Sequence, residues 1–397
     1  MESIKDKVAI IGMGTSQFGE LWEKSVEDLI VDAATEAFED AGVEPKDIQA
    51  AWLGTFDSGY TGQVLSSALQ LQYIPITRVE NACATGIDAI RNASFALISK
   101  AYDLVLVVGV EKMKDLGFGG LLGAPGVFHP VYGAQASAPG RYALAATRYF
   151  ERYGISPEEG KKILAMISVK SHYNGARNPR AHLRREVTPE MVINAPIIAW
   201  PLGLYDCCGV TDGAAAAILC RVEDATNYKK KSEYVTIKGI GLSVGPGWGK
   251  ERSDYDYTHW PETEAAAAMA YQQSGIKNPR KELDLAEVHD CFSIAELIAI
   301  ESLGFCEHGK AKSDIESGSF TLKGDLPVNP SGGLKSFGHP IGASGCREVS
   351  EIYNQLLGKA QHPERQLKNP RLGLVHNQGG HPGRFMAGVC IVGLPGV

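Results

Sequence analysis

No two cysteines stand at the CxxC spacing of a metal knuckle or redox pair, and eight cysteines in 397 residues are too few and too scattered for a disulfide framework. A reducing, cytoplasmic setting is the expectation. No apolar run nears the ~20 residues that a membrane helix needs; the most apolar windows, such as residues 104–110, stop far short. The opening MESIKDKVAIIG passes from charge straight into a strand-like run, without the long apolar region and small-residue cleavage site of a secretory leader. Positive charge is not in excess: 39 Lys and Arg against 46 Asp and Glu leave a formal net charge of −7, which disfavours an unspecific grip on nucleic acid. The 45 Gly and 20 Pro form no low-complexity tract. With 44% hydrophobic and 21% charged residues the chain has a globular composition, and its length favours two or more cores over one.

What is present reads as alternating strands and helices. Residues 7–12 (KVAIIG) form a buried-strand run, and residues 25–40 repeat apolar side chains at helical spacing between Ser25 as N-cap and Gly42 as stop. Residues 50–55 are a second strand run, followed by a short helix near 66–71, a longer helix from Cys83 to Lys100, and a pure strand at 104–110. This pattern predicts βαβ units with parallel, buried strands. The second half repeats the programme: residues 234–242 answer 7–12, 262–275 answer the first helix, 283–292 answer 48–56, 372–375 answer 104–110, and 385–392 answer 214–222. Two copies of one α/β unit follow, the first covering residues 1–114 and 214–233, the second 234–397. Residues 115–213 have no counterpart and read as an inserted domain, either a surface lobe or a binding element.

Chemistry concentrates at Cys83. The small-residue loop Asn81-Ala82-Cys83-Ala84-Thr85-Gly86 opens into an apolar-striped helix, a placement expected to favour a thiolate through free N–H groups and the helix dipole. Such a cysteine is a candidate nucleophile, with inert packing as the alternative. Two histidines are candidate bases. His339 lies in NPSGGLKSFGHPIGASG, whose glycines imply close backbone approach before a helix, and His289 ends a strand in VHDCF. Strand ends and their loops are where doubly wound α/β folds gather reactive groups.

The ordered combination of ACATG, HDCF, NPSGGL with GHPIGASG, and a Gly-rich last loop resembles the thiolase superfamily along essentially the whole chain. The resemblance implies a five-layer αβαβα fold built from two related halves, a loop domain inserted in the first, and a homodimeric core. It also shows a departure. Where the best-known thiolases carry a second reactive cysteine in a C-terminal CxG motif, residues 374–380 read LVHNQGG. The chain is more similar to archaeal acetoacetyl-CoA thiolases and sterol-carrier-type thiolases, in which the cysteine of HDCF replaces the missing one. The insertion, with SHYNGARNPRA at 171–181 and PLGLYDCC at 201–208, resembles that branch as well.

The resemblance implies a role for each group. Cys83 would attack the 3-keto carbon of a 3-oxoacyl-CoA or, in reverse, serve a Claisen condensation, with His339 as its base. His289 and His339 would hold the enolate oxygen, and Cys291 would exchange the proton at the enolate carbon. The Cys83 N–H, with the loop carrying Gly379 and Gly380, would form an oxyanion hole, and His376 is a rival to Cys291 as proton carrier. No bound cofactor or metal is expected in this chain, and coenzyme A enters as substrate. Arg177, Arg180, Arg184 and Arg185, in a stretch with Lys170 and without acids, are expected to meet CoA phosphates. By analogy, residues 117–126 would line the acyl pocket or a dimer contact. His381 and Arg384 follow the last loop where small residues are usual, and suggest an acidic or aromatic acyl group such as that of 2-benzoylsuccinyl-CoA beside plain acetoacetyl-CoA. The remaining six cysteines are expected to be packing residues. A small OB-fold and zinc-ribbon partner is implied by several relatives; nucleic acid and membrane partners are not. Two other readings stand beside this one, a decarboxylating condensing enzyme of the same superfamily and a non-catalytic scaffold or lipid-carrier subunit.

Overall fold

The computed structural model describes residues 3–116, 137–247, 249, 252 and 254–397. The expectation for residues 117–126 lies outside the described residues. Nine strands form one sheet: β1 (Val8–Thr15), β2 (Ala50–Gly54), β3 (Ile76–Val79), β4 (Leu104–Glu111), β5 (Gly213–Arg221), β6 (Val235–Val244), β7 (Leu285–Val288), β8 (Leu372–His381) and β9 (Arg384–Gly393), in the order β3-β2-β4-β5-β1-β6-β9-β8-β7. The first half supplies one end and the second half the other. They meet where β1 and β6 pair through only Ala9 with Thr236 and Ile10 with Val235, so the sheet is two units joined by a narrow seam.

The duplication holds strand for strand, β1 to β6, β2 to β7, β4 to β8 and β5 to β9, whereas the counterpart of β3 shrinks to a single bridge between Ala286 and Val328. The all-parallel expectation needs correction. β2 runs parallel to β3 and β4, and β7 to β8, but β5 is antiparallel to both β4 and β1, and β9 to both β8 and β6. In the second half the reason is local. A turn at Pro382-Gly383, with Gly383 at φ +84°, joins β8 to β9 as a hairpin, and a hairpin connection makes its strands antiparallel.

Helices fill three layers. α1 (Val26–Ala41) starts at a capping box between Ser25 and Asp28 and ends at Gly42 in the left-handed region; with α2 (Gln63–Leu69) it covers the outer face of the first half. α3 (Thr85–Ile98) lies between the two halves, while α4 (Ala138–Arg152), α5 (Pro157–Ala176), α6 (Pro261–Ser274) and α7 (Ser293–Ser302) cover the outer face of the second half. After the short α8 (Gly333–Ser336), α9 (Ser344–Leu356) joins α3 in the centre, where Ile87, Ile90, Val349 and Ile352 pack on strands of both halves. The alternation of β4 shows the layering: Leu104, Leu106 and Val108 face α1, and Val105 and Val107 face the centre. This is the five-layer αβαβα arrangement.

The insertion is no detached lobe. Asn174 and Asn178 donate to the carbonyls of Asn329 (2.8 Å) and Ser331 (3.1 Å), and Arg180 forks onto Glu36 of α1 and reaches the Thr15 carbonyl. It therefore clasps the NPSGGL loop from outside.

The two central helices touch at their first turns because neither has a side chain there. A Cβ on Gly86 would lie 2.6 Å from the Cys346 nitrogen, and one on Gly345 would lie 2.8 Å from the Ile87 nitrogen. Both obstacles are backbone, so relief requires moving a helix. Gly86→Ala is expected to lower stability by about 2 kcal/mol or more and to abolish activity; a denaturation midpoint and turnover equal to those of the unsubstituted protein would contradict this packing account.

Candidate active site

Three loops converge beside the Gly86–Gly345 contact. The first carries Cys83 just ahead of α3, with Ala82 in the left-handed region at φ +47°, a conformation that costs a non-glycine residue about 1 kcal/mol or more. Local bonds hold it: the Asn81 N–H donates to Thr85 Oγ1 (2.8 Å) and Asn81 Nδ2 to Asp88 (2.7 Å). The second loop carries His339, and Glu111 at the end of β4 pins it by accepting from the Gly342 N–H (3.0 Å) while also accepting from Thr55, Phe56, Asp57 and Ser58. The third is HDCF, where Asp290 accepts from the Leu334 N–H at the start of α8 and from Ser171 of α5 (3.2 Å). Burial and the nearby Glu296 carboxylate raise Asp290 to about 7.

Cys83 Sγ lies 3.2 Å from His339 Nε2. On the far side of the ring, Nδ1 is 2.7 Å from Ser344 Oγ, whose own proton goes to the Pro340 carbonyl (2.8 Å). Ser344 must then accept from Nδ1–H, which leaves the lone pair on Nε2, facing the thiol. Burial, reinforced by the positive Arg347, pushes His339 down to about 3, and burial pushes the Cys83 thiol up. Against the expected thiolate, α3 begins at Thr85, two residues past Cys83, and burial favours the neutral thiol. Both directions favour a neutral thiol beside a neutral imidazole.

His289 stands at right angles to His339, ring centroids 5.2 Å apart, and its buried Nδ1 has no hydrogen-bond partner among the described residues. Burial, with His339 and His376 as like-charged neighbours, holds it neutral. The donor atoms of Cys83, His289 and His339 lie within 4.8 Å of one another. A thiophilic divalent cation at this trio would compete with substrate for the nucleophile. Gly379 backs onto the Cys83 amide: a Cβ there would lie 2.7 Å from the Cys83 nitrogen. Gly380 follows at φ +93° and pairs with Phe385 across the hairpin. Cys291 is buried, its thiol raised by burial and by the neighbouring Cys83 sulfur. His376 is buried near His289, with Nε2 2.9 Å from Thr263 Oγ1 of α6.

Residues 8–196 match the family described as Thiolase, N-terminal domain, and residues 250–390 match Thiolase C-terminal domain-like. The chain is a member of the thiolase family. It is 39% identical over 387 residues to an acetyl-CoA acetyltransferase of Methanothermobacter thermautotrophicus, covering 95% of this chain and 97% of the relative. It is 33% identical over 383 residues to benzoylsuccinyl-CoA thiolase subunit BbsB of Thauera aromatica, covering 95% and 96%. Among solved structures, the Ltp2-ChsH2(DUF35) aldolase superposes with a TM-score of 0.84 at 24% identity, covering 98% of both chains. The family membership makes this chain an acyltransferase. No helix among the described residues is long and apolar enough to cross a membrane.

Several expectations for this thiolase change place. Arg177 is engaged by Glu364 (2.6 Å) and Glu186 (2.7 Å), and Arg180 by Glu36, so both fasten the insertion to the core instead of standing ready for phosphate. Arg184 and Arg185 are exposed. His381 is buried at the end of β8, while Arg384 is exposed at the start of β9 and donates to the Gly247 carbonyl (3.1 Å). Cys220, Cys346 and Cys390 pack in cores as expected, but Cys208 donates its N–H to the Cys291 carbonyl (2.9 Å) and adjoins both Cys83 and Cys291. Sequence reasoning also missed Ser344, Glu111 and Arg347. Only Ser344 carried a signal, its place within GHPIGASG.

Because His339 and His376 are both held at about 3 against 6.5 for the free side chain, the folded state binds fewer protons than the unfolded state between those values. Their contribution is complete above pH 6.5 and is lost as pH falls toward 3, at up to about 1.4 kcal/mol per pH unit for each. His376→Asn is expected to flatten the fall in urea stability between pH 7 and pH 5; an unchanged slope would show that His376 is not held neutral.

Proposed function

We propose that this thiolase cleaves acetoacetyl-CoA with free CoA, or runs the reverse condensation, through an acyl-enzyme on Cys83. The observation that carries the reading is the Cys83–His339 contact at 3.2 Å, with the bare Nε2 facing the thiol. His339 takes the thiol proton as sulfur attacks the 3-keto carbon, so the thiolate forms only with substrate in place. The C2–C3 bond breaks, leaving an acyl group on Cys83 and the enolate of acetyl-CoA, whose oxygen accepts from His289. Cys291 gives its proton to the enolate carbon. The resulting Cys291 thiolate takes the proton of the entering CoA thiol, the CoA sulfur attacks the acyl-enzyme, and His339 returns its proton to Cys83. Presence of Cys291 favours this over a decarboxylating reaction, which produces its carbanion without a proton-abstracting thiol. The matched set of Cys83, His289, Cys291 and His339 favours an enzyme over a scaffold subunit.

Acetoacetyl-CoA is preferred to an acidic aromatic substrate because the 39% relative bears the acetyl-CoA acetyltransferase name and Arg384 stands exposed at a hairpin, bonded to a backbone carbonyl. Arg184 and Arg185 remain the candidates for CoA phosphate. A second copy of the chain fits the open sheet edge at β3, near which Tyr60 and Tyr73 are exposed, and the two-component name of the Ltp2-ChsH2(DUF35) neighbour is in keeping with a small partner protein, which we take to be of the OB-fold and zinc-ribbon kind.

Incubation with acetoacetyl-CoA, analysed by mass spectrometry, is expected to show an acetyl adduct on Cys83 that free CoA removes. No adduct with any 3-oxoacyl-CoA, with the partner supplied, would remove the enzyme reading. Arg384→Ala is expected to leave the KM for acetoacetyl-CoA within about twofold; a selective rise of roughly tenfold for a dicarboxylic 3-oxoacyl-CoA would instead assign Arg384 to an acidic acyl group.

A further inference from the structure

The side chain of Cys83 has apolar neighbours that the mechanism above does not use. Phe56, Met113, Val210 and Ile341 form one small cluster with it, apart from the large cores, and Met113, Val210 and Ile341 are only 1%, 8% and 6% exposed. All three parts of the chain contribute. Phe56 follows β2 and Met113 follows β4 in the first half, Val210 lies in the insertion just ahead of β5, and Ile341 lies in the second half between His339 and α9. Two buried carboxylates fix their relative positions. Glu111, at the end of β4, accepts from the Phe56 N–H (2.8 Å) and from the N–H of Gly342 (3.0 Å), next to Ile341. Asp212, two residues past Val210, accepts from the Lys114 N–H (2.9 Å) and from Lys112 Nζ (3.0 Å), the residues on either side of Met113. Gly342 also rests on backbone, since a Cβ there would lie 2.7 Å from the Gly54 carbonyl oxygen and 2.9 Å from that of Val110. The cluster cannot widen without breaking hydrogen bonds to buried acceptors, so it is a preorganised wall beside the nucleophile.

Resting on the thiolase reading, we infer that Met113 and Val210, with Phe56 and Ile341, are the specificity-determining wall against which the alkyl end of the acyl group on Cys83 lies, and that this wall restricts the enzyme to short, unbranched, uncharged 3-oxoacyl-CoA substrates. The acyl group stands on the sulfur, so the side chains packed against Cys83 are the first that its carbon atoms meet. A methyl group finds apolar contact there. Each further methylene must enter space that mutually buried side chains already fill, and pushing them aside carries the cost of overpacking. A carboxylate on the acyl group would give up its water against four apolar side chains.

Thiolysis of acetoacetyl-CoA, 3-oxopentanoyl-CoA and 3-oxohexanoyl-CoA tests the wall. The quantity to read is kcat/KM for a longer substrate divided by that for acetoacetyl-CoA, because a loss of active protein cancels from the ratio. Met113→Ala and Val210→Ala are each expected to raise the ratio for 3-oxohexanoyl-CoA about tenfold or more, and Val210→Leu to lower the ratio for 3-oxopentanoyl-CoA by about the same factor. Shifts of opposite sign at one position do not follow from a merely structural role. Should Met113→Ala not fold, the two Val210 variants decide the matter alone. Ratios that stay within about twofold of the parent, with all three substrates losing activity equally, would overturn the inference while leaving the thiolase reading intact. A Val210→Leu shift in the same direction as Val210→Ala would overturn it as well. Absence of any acyl adduct on Cys83 in the unsubstituted protein would instead overturn the thiolase reading itself.

Discussion

The glycine-to-glycine contact between the two central helices is the constraint on which the rest depends. Gly86 and Gly345 each lie against the backbone of the opposite helix, at distances no side chain could occupy. Each glycine follows a reactive loop, Cys83 before α3 and His339 before α9. Bringing the helices this close is what sets sulfur and imidazole 3.2 Å apart across a gap of 256 positions in the chain. A duplicated α/β unit provides two such helix starts related by the same packing, and the site lies where they meet. Neither half alone contains both a nucleophile and a base.

Beneath that contact lies a buried charged network. Arg347 of α9 is almost wholly enclosed and donates to Glu287 (2.8 Å) and Ser331 (2.7 Å), with Glu348 at 3.4 Å and Asn377 bonded to Glu348. Charges removed from water cost several kcal/mol each unless their partners are nearly ideal, so this network is weak evidence for stability. It is better read as a fastening that ties β7, the NPSGGL loop, α9 and β8 together, the elements carrying His289, His339 and His376. Its net electrostatic consequence reaches the site. The Arg347 charge and the lack of solvent keep His339 an unprotonated base.

The insertion completes the site from the opposite side. Asn174 and Asn178 hold the loop ahead of His339, Ser171 meets Asp290, and Tyr142 packs on Phe292, the residue after Cys291. Positive charge in this segment is mostly spent on the protein itself. Arg177, Arg180 and Lys170 pair with Glu364, Glu36 and Glu296, so a basic stretch that looks suited to phosphate in one dimension becomes a row of fasteners in three.

The sequence by itself determined the duplicated halves and the intervening insertion, because apolar periodicity is a local property that a linear reading can follow; Cys83, His289 and His339 stood out by their loops, and Cys291 through the HDCF resemblance. Only the tertiary structure decided the rest. Strand direction depended on how β5 and β9 return to the sheet, and the ionisation of Cys83 and His339 depended on burial, which no neighbour in sequence reports. The same holds for pairings over long separations. Arg180 finds Glu36, Ser344 orients the His339 ring, and Gln378 finds Tyr142, because packing chooses among many chemically suitable partners that the one-dimensional order leaves equivalent.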